Sequence, residues 1–257
     1  MVHPRRVASP LLGWPLGCLW LTLGCGGGGA PAASPFGTAN LALSFDGVTQ
    51  YATAGNGGFP AAGALQTVEM WVDFPAPTAT TTADFLTMRM DLTSGMEIGI
   101  HDGALAVWRV YVDRVLAQAP ALPSANSWHH LAYTYDLTNN TLYVDGVSVD
   151  AETTPTDDRT PSSVWLGTLD GASQLYAGKL DEIRVWTLVR SREEIQADMK
   201  HSPPGAVPGL VAYWTFDDGG DTGQALDASG SGNDVTLGDG LTANMPTRVP
   251  STAPDGQ

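Results

Sequence analysis

Residues 127–150, SWHHLAYTYDLTNNTLYVDGVSVD, set the plan of this chain. Residues 127–136 and 141–145 are rich in aromatic and β-branched side chains, which suit a pleated, half-buried surface. Between them Leu137-Thr138-Asn139-Asn140 supplies turn chemistry, because Asn tolerates left-handed backbone and bonds its own main chain. Asp145-Gly146, flanked by Val144 and Val147, is a strong hairpin signal, since both central residues of such a turn must reach positive φ. Three strands in about two dozen residues make an antiparallel meander.

Trp-His-His, a strand, a polar turn and then Leu-Tyr-Val-Asp-Gly resemble the signature of the laminin-G-like jelly rolls of the concanavalin A-like lectin/glucanase superfamily. ALSFDGVTQYAT (42–53), TVEMWVDF (67–74), VWLGT (164–168) and GKLDEIRVWTLVRSREEI (178–195) fall in the family's order. The resemblance spans most of the chain after residue 40. It implies an all-β fold, a two-sheet antiparallel jelly-roll sandwich. It implies less about activity, because the fold hosts lectins, hydrolases, lyases and adhesion modules.

The totals agree with one all-β domain. The chain has 257 residues, 43% of them hydrophobic, with eight Trp to fill a core. Twenty-seven acids oppose 12 bases, and two of those bases, Arg5 and Arg6, lie in a leader without acids. Such a surface repels nucleic acid and anionic headgroups and argues against both as partners.

Arg5-Arg6 followed by an apolar stretch from Leu11 to Leu23 has the form of a signal peptide over residues 1–24, too short to span a bilayer. Leu21-Thr22-Leu23-Gly24-Cys25 resembles a bacterial lipobox, with Cys25 as the lipidated residue and Thr22 departing from the usual Leu. Residues 25–36 then form a Gly-rich tether. This predicts an exported envelope lipoprotein that touches membrane only through its lipid; the competing reading is a plain signal peptide. Cys18 and Cys25 are the chain's two cysteines, so residues 37–257 contain none and form no disulfide.

The jelly roll is expected over 37–245, with a disordered tail at 246–257. Asn40–Phe45 and Thr49–Thr53 around Asp46-Gly47 read as a hairpin. In Thr67–Phe74 the apolar residues alternate and occupy one face only. Phe85–Met90, Met96–His101 and Ala104–Val112 read as a meander. Ser191-Arg192-Glu193-Glu194 is a capping box that opens a short helix near 191–200. GLVAYW at 209–214 and DASGSGN at 227–233 resemble a segment that precedes the first strand in the family. Here they form a closing segment over 209–237, in which 209–217 is expected to be a strand paired with the first strands of the sheet.

Enzyme chemistry finds little support. Glucanases of the superfamily carry Glu-x-Asp-x(x)-Glu on one strand, a spacing absent here. His129 and His130 point to opposite faces of a strand and cannot ligate one metal together. The resemblance implies a structural calcium, with Asp46, Asp181 and Asn56 as ligands and loop carbonyls completing the shell. The opposing reading gives Asp46 a turn role and Asp181 a surface pair. Trp71, Trp108, Tyr111, Trp165, Tyr176 and Trp186 are the aromatic candidates for stacking on sugar rings, although most Trp in a sandwich fill its core. Trp108, Tyr111, Asp113, Arg114 and Tyr176 are expected to form a polar-aromatic rim for a glycan or an extracellular protein. A purely structural envelope role is the alternative, and a polysaccharide-active enzyme a more distant one.

Overall fold

The computed structural model describes residues 39–55, 57–91, 94–109, 114–153, 160–203, 206–220 and 222–254. The strands are β1 (Leu41–Asp46), β2 (Ala52–Ala54), β3 (Gln66–Asp73), β4 (Ala83–Arg89), β5 (Gly95–His101), β6 (Ala104–Arg109), β7 (Arg114–Gln118) and β8 (Trp128–Tyr135). They continue with β9 (Asn139–Val144), β10 (Val147–Thr153), β11 (Ser163–Leu166), β12 (Ala177–Trp186), β13 (Leu210–Trp214), β14 (Gln224–Ala225), β15 (Val235–Leu237) and β16 (Thr247–Pro250). Helix α1 (Arg192–Asp198) stands between β12 and β13.

Pairing makes two antiparallel sheets. Sheet A runs β10-β9-β8-β3-β12-β1-β16, with β13 also on β12; sheet B runs β14-β15-β2-β11-β4-β5-β6-β7. The inner faces interdigitate Leu43, Val68, Met70, Val72, Leu131, Tyr133, Leu180 and Val185 with Leu86, Met88, Met96, Ile98, Ile100, Val107, Val164 and Leu166. Each such side chain contributes roughly 1.5–3 kcal/mol by leaving water.

The meander of 127–150 forms as β8, β9 and β10, and Asp145 and Gly146 both take positive φ, 51° and 72°. Ser191 and Glu194 cap α1 reciprocally. Three expectations need correction. β1 and β2 are not a hairpin: β1 pairs with β12 and β16 in sheet A, and β2 with β11 and β15 in sheet B. Asp46 explains the crossing, since its carboxylate accepts from the amides of Val48, Thr49 and Gln50 and holds an open loop in place of a tight turn. Gly47 is needed there, as a Cβ would lie 2.8 Å from that of Ala177. Second, the tail is ordered at Thr247–Pro250, where β16 supplies β1 with its outer partner. Arg248 fixes it through Asp218 (2.6 Å) and the carbonyls of Phe216, Gly220 and Gln224. Third, β13 pairs with β12, not with β1, although β15 of the same closing segment does pair with β2; Leu210, Tyr213 and Phe216 are buried while Val211 is half-buried.

β3 is buried on both faces, contrary to its one-sided alternation. The cover on its outer side is local chain. Trp71 Nε1 donates to Met199 O (2.9 Å), Thr67 Oγ1 to Leu188 O (2.9 Å), and Arg184 to Asp198 O (2.7 Å) and His201 O (3.3 Å). Arg190 lies over the Trp186 ring at 4.4 Å and is also bonded to Asp198. A left-handed residue, Glu182 (φ 51°), sits in a bulge of β12, and its carboxylate accepts from Arg184 (2.6 Å) and from the Tyr213 hydroxyl (2.5 Å). Arg184 thus has the carboxylate partner that a buried charge requires. Glu69 lies 3.7 Å from His130. Burial pushes the Glu69 carboxyl up against the pull of Arg184 and Arg190, and burial with the Arg184 charge pushes His130 down to about 3. His130 is therefore a neutral imidazole in the fold.

Candidate functional site

Sheet B presents its outer face differently. One cross-strand row runs Thr53, Trp165, Thr87, Glu97 and Trp108, paired in succession across β2, β11, β4, β5 and β6. Directly paired residues share a face, so both indoles project from the same side. They stand three strand spacings apart, about 14 Å. Trp165 is half-buried, tilted against Tyr51 at 5.6 Å, and its Nε1 donates to Ser163 Oγ (2.9 Å). Trp108 is half-buried and stacked on His101, with centroids 3.8 Å apart and planes 8° apart.

The middle of the row is polar and closed. The segment after β11 folds over it: Thr87 Oγ1 donates to Thr168 O (3.1 Å), Arg89 Nη1 to Leu169 O (3.2 Å), and Asp84 N to Gln174 O (2.9 Å). Glu97 and Asp84 are each only 2% exposed, and Glu97 Oε1 is buried without a hydrogen bond. Burial raises Glu97 to about 7 against the pull of Arg89. Burial and the Glu97 charge together raise Asp84 well above the carboxylate range, despite the hydrogen bond from Thr87. Beside Trp165 a cavity of about 350 Å³ opens between Arg89, Asp91, Ser162, Ser163 and Asp170.

The residues expected to bind ligand divide. Trp108 is on this face and Arg114 is exposed at the start of β7, opposite Arg109. Tyr111 and Asp113 lie outside the described residues. Tyr176 is no rim residue: it is 1% exposed, packed on Phe45 and Phe85, with its hydroxyl bonded to the carbonyls of Asp73 (2.8 Å) and Lys179 (3.1 Å). Of the rest of the aromatic set, Trp71 and Trp186 are buried in sheet A. Sequence reasoning missed Thr87, Arg89, Glu97 and Asp170; strand register brings Thr87, Arg89 and Glu97 to Trp165, and the loop after β11 brings Asp170.

The expected calcium pair is not assembled. Asp46 is opposite Ala177 on β12, four residues from Asp181, which is about 13 Å along a strand. Asp46 serves its loop amides and Asp181 accepts from Ser251 Oγ (2.5 Å) and from Glu182 N (2.8 Å). Asn56 and Cys25 lie outside the described residues. Among the described residues no group of three or more His, Cys, Asp or Glu is placed to hold a metal.

A second cluster, unforeseen from sequence, joins Ser124, His129 and Asp145. His129 Nδ1 meets Asp145 Oδ2 at 2.8 Å, and Nε2 meets Ser124 Oγ at 3.0 Å and Ser127 Oγ at 3.2 Å. These are the elements of a Ser-His-Asp nucleophile. Nε2 also lies 3.0 Å from the carbonyl oxygen of Ser124, and Ser127 Oγ donates to that same oxygen (2.8 Å). The cluster ties the 124–127 loop to the Asp145-Gly146 turn, where Asp145 also accepts from His130 N (3.0 Å).

Comparison with curated protein sequences gives no match. Among solved structures, the fold is similar to a candidate carbohydrate-binding protein from Bacteroides ovatus, with TM-score 0.63 and 18% identity over 84% of this chain and 61% of that one. This chain therefore spans less than two thirds of that protein's length. It is also similar to domain 4 of AbnA, a GH43 extracellular arabinanase of Geobacillus stearothermophilus solved with arabinotriose, with TM-score 0.52 and 19% identity over 61% and 75% of the two chains. A heptameric SAP-like pentraxin from Limulus polyphemus matches with TM-score 0.52 and 14% identity over 78% and 95%. At these identities the likeness is one of fold. The sequence itself matches the Laminin_G_3 profile over residues 46–196, more than half of its length, and with the two-sheet sandwich in hand the chain belongs to the concanavalin A-like lectin/glucanases superfamily.

Proposed function

We propose that this protein is a non-enzymatic glycan-binding module held at a bacterial cell envelope by lipidated Cys25. The observation that carries the reading is Trp165, a half-exposed indole beside a polar cavity on the outer face of sheet B. An aromatic face next to converging hydroxyl and carboxylate groups offers a sugar both its stacking surface and its hydrogen bonds. One fold neighbour named as carbohydrate-binding and another solved with arabinotriose support the same direction. Against catalysis, Asp84 and Glu97 are buried under the face, where a general acid could not reach a glycosidic oxygen.

A glycan array probed with the full chain tests this, with arabino-oligosaccharides included. Wild type is expected to bind at least one neutral glycan, and Trp165→Ala to lose that signal while keeping its melting transition. An array without signal, or a signal indifferent to Trp165, would overturn the reading in favour of a protein partner or a structural role. Anchoring is tested by palmitate labelling, which Cys25→Ala should abolish.

A further inference from the structure

We infer that the cavity beside Trp165 takes the end of an uncharged glycan chain and not its middle. This rests on the glycan-binding reading and specifies its ligand. The cavity, about 350 Å³, lies at the lower end of the range for small-molecule pockets, room for one or two sugar rings. Described residues close it in both directions across the sheet. Toward β2, Tyr51 stands against Trp165, and Gly171 is packed so tightly that a Cβ would come within 3.1 Å of the indole and 3.3 Å of the Tyr51 ring. Toward β5, the carbonyls of Thr168 and Leu169 are drawn down onto Thr87 and Arg89. Thr87 is fully buried and Glu97 nearly so, so the row that leads to Trp108 is not an open groove. A chain laid across the sheet from one Trp to the other has no path.

The charge of the ligand follows from the same walls. Asp170 and Asp91 are exposed at the cavity. Burial works against ionisation of Asp170, but hydrogen bonds from Ser173 and from the amides of Ala172 and Ser173, with the pull of the Arg89 charge, outweigh it and keep the carboxylate ionised. Arg89, the cation in the wall, is turned to the carbonyls of Asp91 (3.2 Å) and Leu169 (3.2 Å). A uronate or sulfate would meet the Asp170 carboxylate; a neutral sugar would offer it hydroxyl donors.

Calorimetric titration of the full chain with linear neutral pentose and hexose oligosaccharides of one to six units, and with oligogalacturonates, tests the inference. For the best neutral series, affinity should change less than about threefold from two units to six. Oligogalacturonates should bind at least tenfold more weakly, and Asp170→Asn should narrow that ratio. Trp165→Ala should cost tenfold or more, and Trp165→Phe, which keeps a ring, clearly less. A tenfold rise from dimer to hexamer, with Trp165→Ala still abolishing binding, would overturn chain-end recognition and leave glycan binding intact. Preference for the acidic series would overturn the charge argument. A folded wild type that binds no series would remove this inference and the reading beneath it.

Discussion

Trp186 and Trp165 both point outward from their sheets, and their surroundings could hardly differ more. Trp186 is 1% exposed, held under Arg190, in a layer of polar side chains sealed by α1 and the segments around it. Trp165 has a folded-over loop on one side and a cavity on the other. The outer face of sheet A has become a second core with ion pairs in it. The outer face of sheet B keeps Trp165 half-exposed beside a cavity, within reach of a ligand. Alternation along a strand assigns a residue to a face; what covers the face is decided by chain elsewhere.

The largest effect should come from removing the cover and the strands behind it. A chain stopped after Pro203 lacks β13 to β16, including the buried Leu210, Tyr213, Trp214 and Phe216. Each loss is on the scale of ~2–5 kcal/mol and total stability is only about 5–15, so no cooperative thermal transition should remain. A truncated chain with a normal melt would show that sheet A closes without its outer layer. Within that layer, Arg184→Ala leaves Glu182 buried without its cation and should cost about 3–5 kcal/mol by chemical denaturation. A loss below 1 would mean the network is only decoration.

One buried group on each face, His130 and Glu97, should also respond to pH with opposite sign. On sheet A, His130 is neutral in the fold, with a pKa lowered from 6.5 to about 3. The unfolded chain takes up a proton first, so this contribution is complete above pH 6.5 and is lost as pH falls toward 3. On sheet B, Glu97 is raised from 4.5 to about 7, so the fold favours its protonated form. Its contribution is fullest below pH 4.5 and is lost as pH rises through 7. Glu97→Gln should therefore match wild type near pH 4.5 and exceed its stability by about 3 kcal/mol above pH 7. Denaturation curves at pH 4.5 and 8 decide it, and an offset equal at both would refute the assignment. The smallest expected effect sharpens the contrast most: Trp165→Ala should cost about 1–2 kcal/mol, against about 3–5 for Trp186→Ala.

The central meander was legible because its signals are local. Asp145-Gly146 demands positive φ, and the Ser191–Glu194 capping box lies within one helical turn. Asp46-Gly47 shows the limit of the same logic: the dipeptide looks like a hairpin turn, but the partners of β1 lie some 135 and 205 residues downstream, so the turn could not choose the sheet. Tyr176 failed as a rim residue because proximity to a turn says nothing about which way a ring goes. Of the candidate site, Trp165 was visible as one aromatic among six. Thr87, Arg89 and Glu97 became its neighbours only through the pairing of β11 with β4 and β4 with β5, and Asp170 through the fold of the loop after β11.

The position of β1 has a mechanical consequence. The strand is hydrogen-bonded on both sides, to β12 and to β16, and Ser251 N reaches past its start to Asn40 O (2.9 Å). A pull on the chain at Asn40 is directed along β1, so both ladders are loaded in shear and many bonds must fail together before the strand slides out. Unfolding under force is governed by the unfolding rate. Tension entering from the N-terminal side therefore meets the sandwich where its resistance to extraction is cooperative, and a single-molecule pull from that end should give one high rupture force, not a stepwise unzipping.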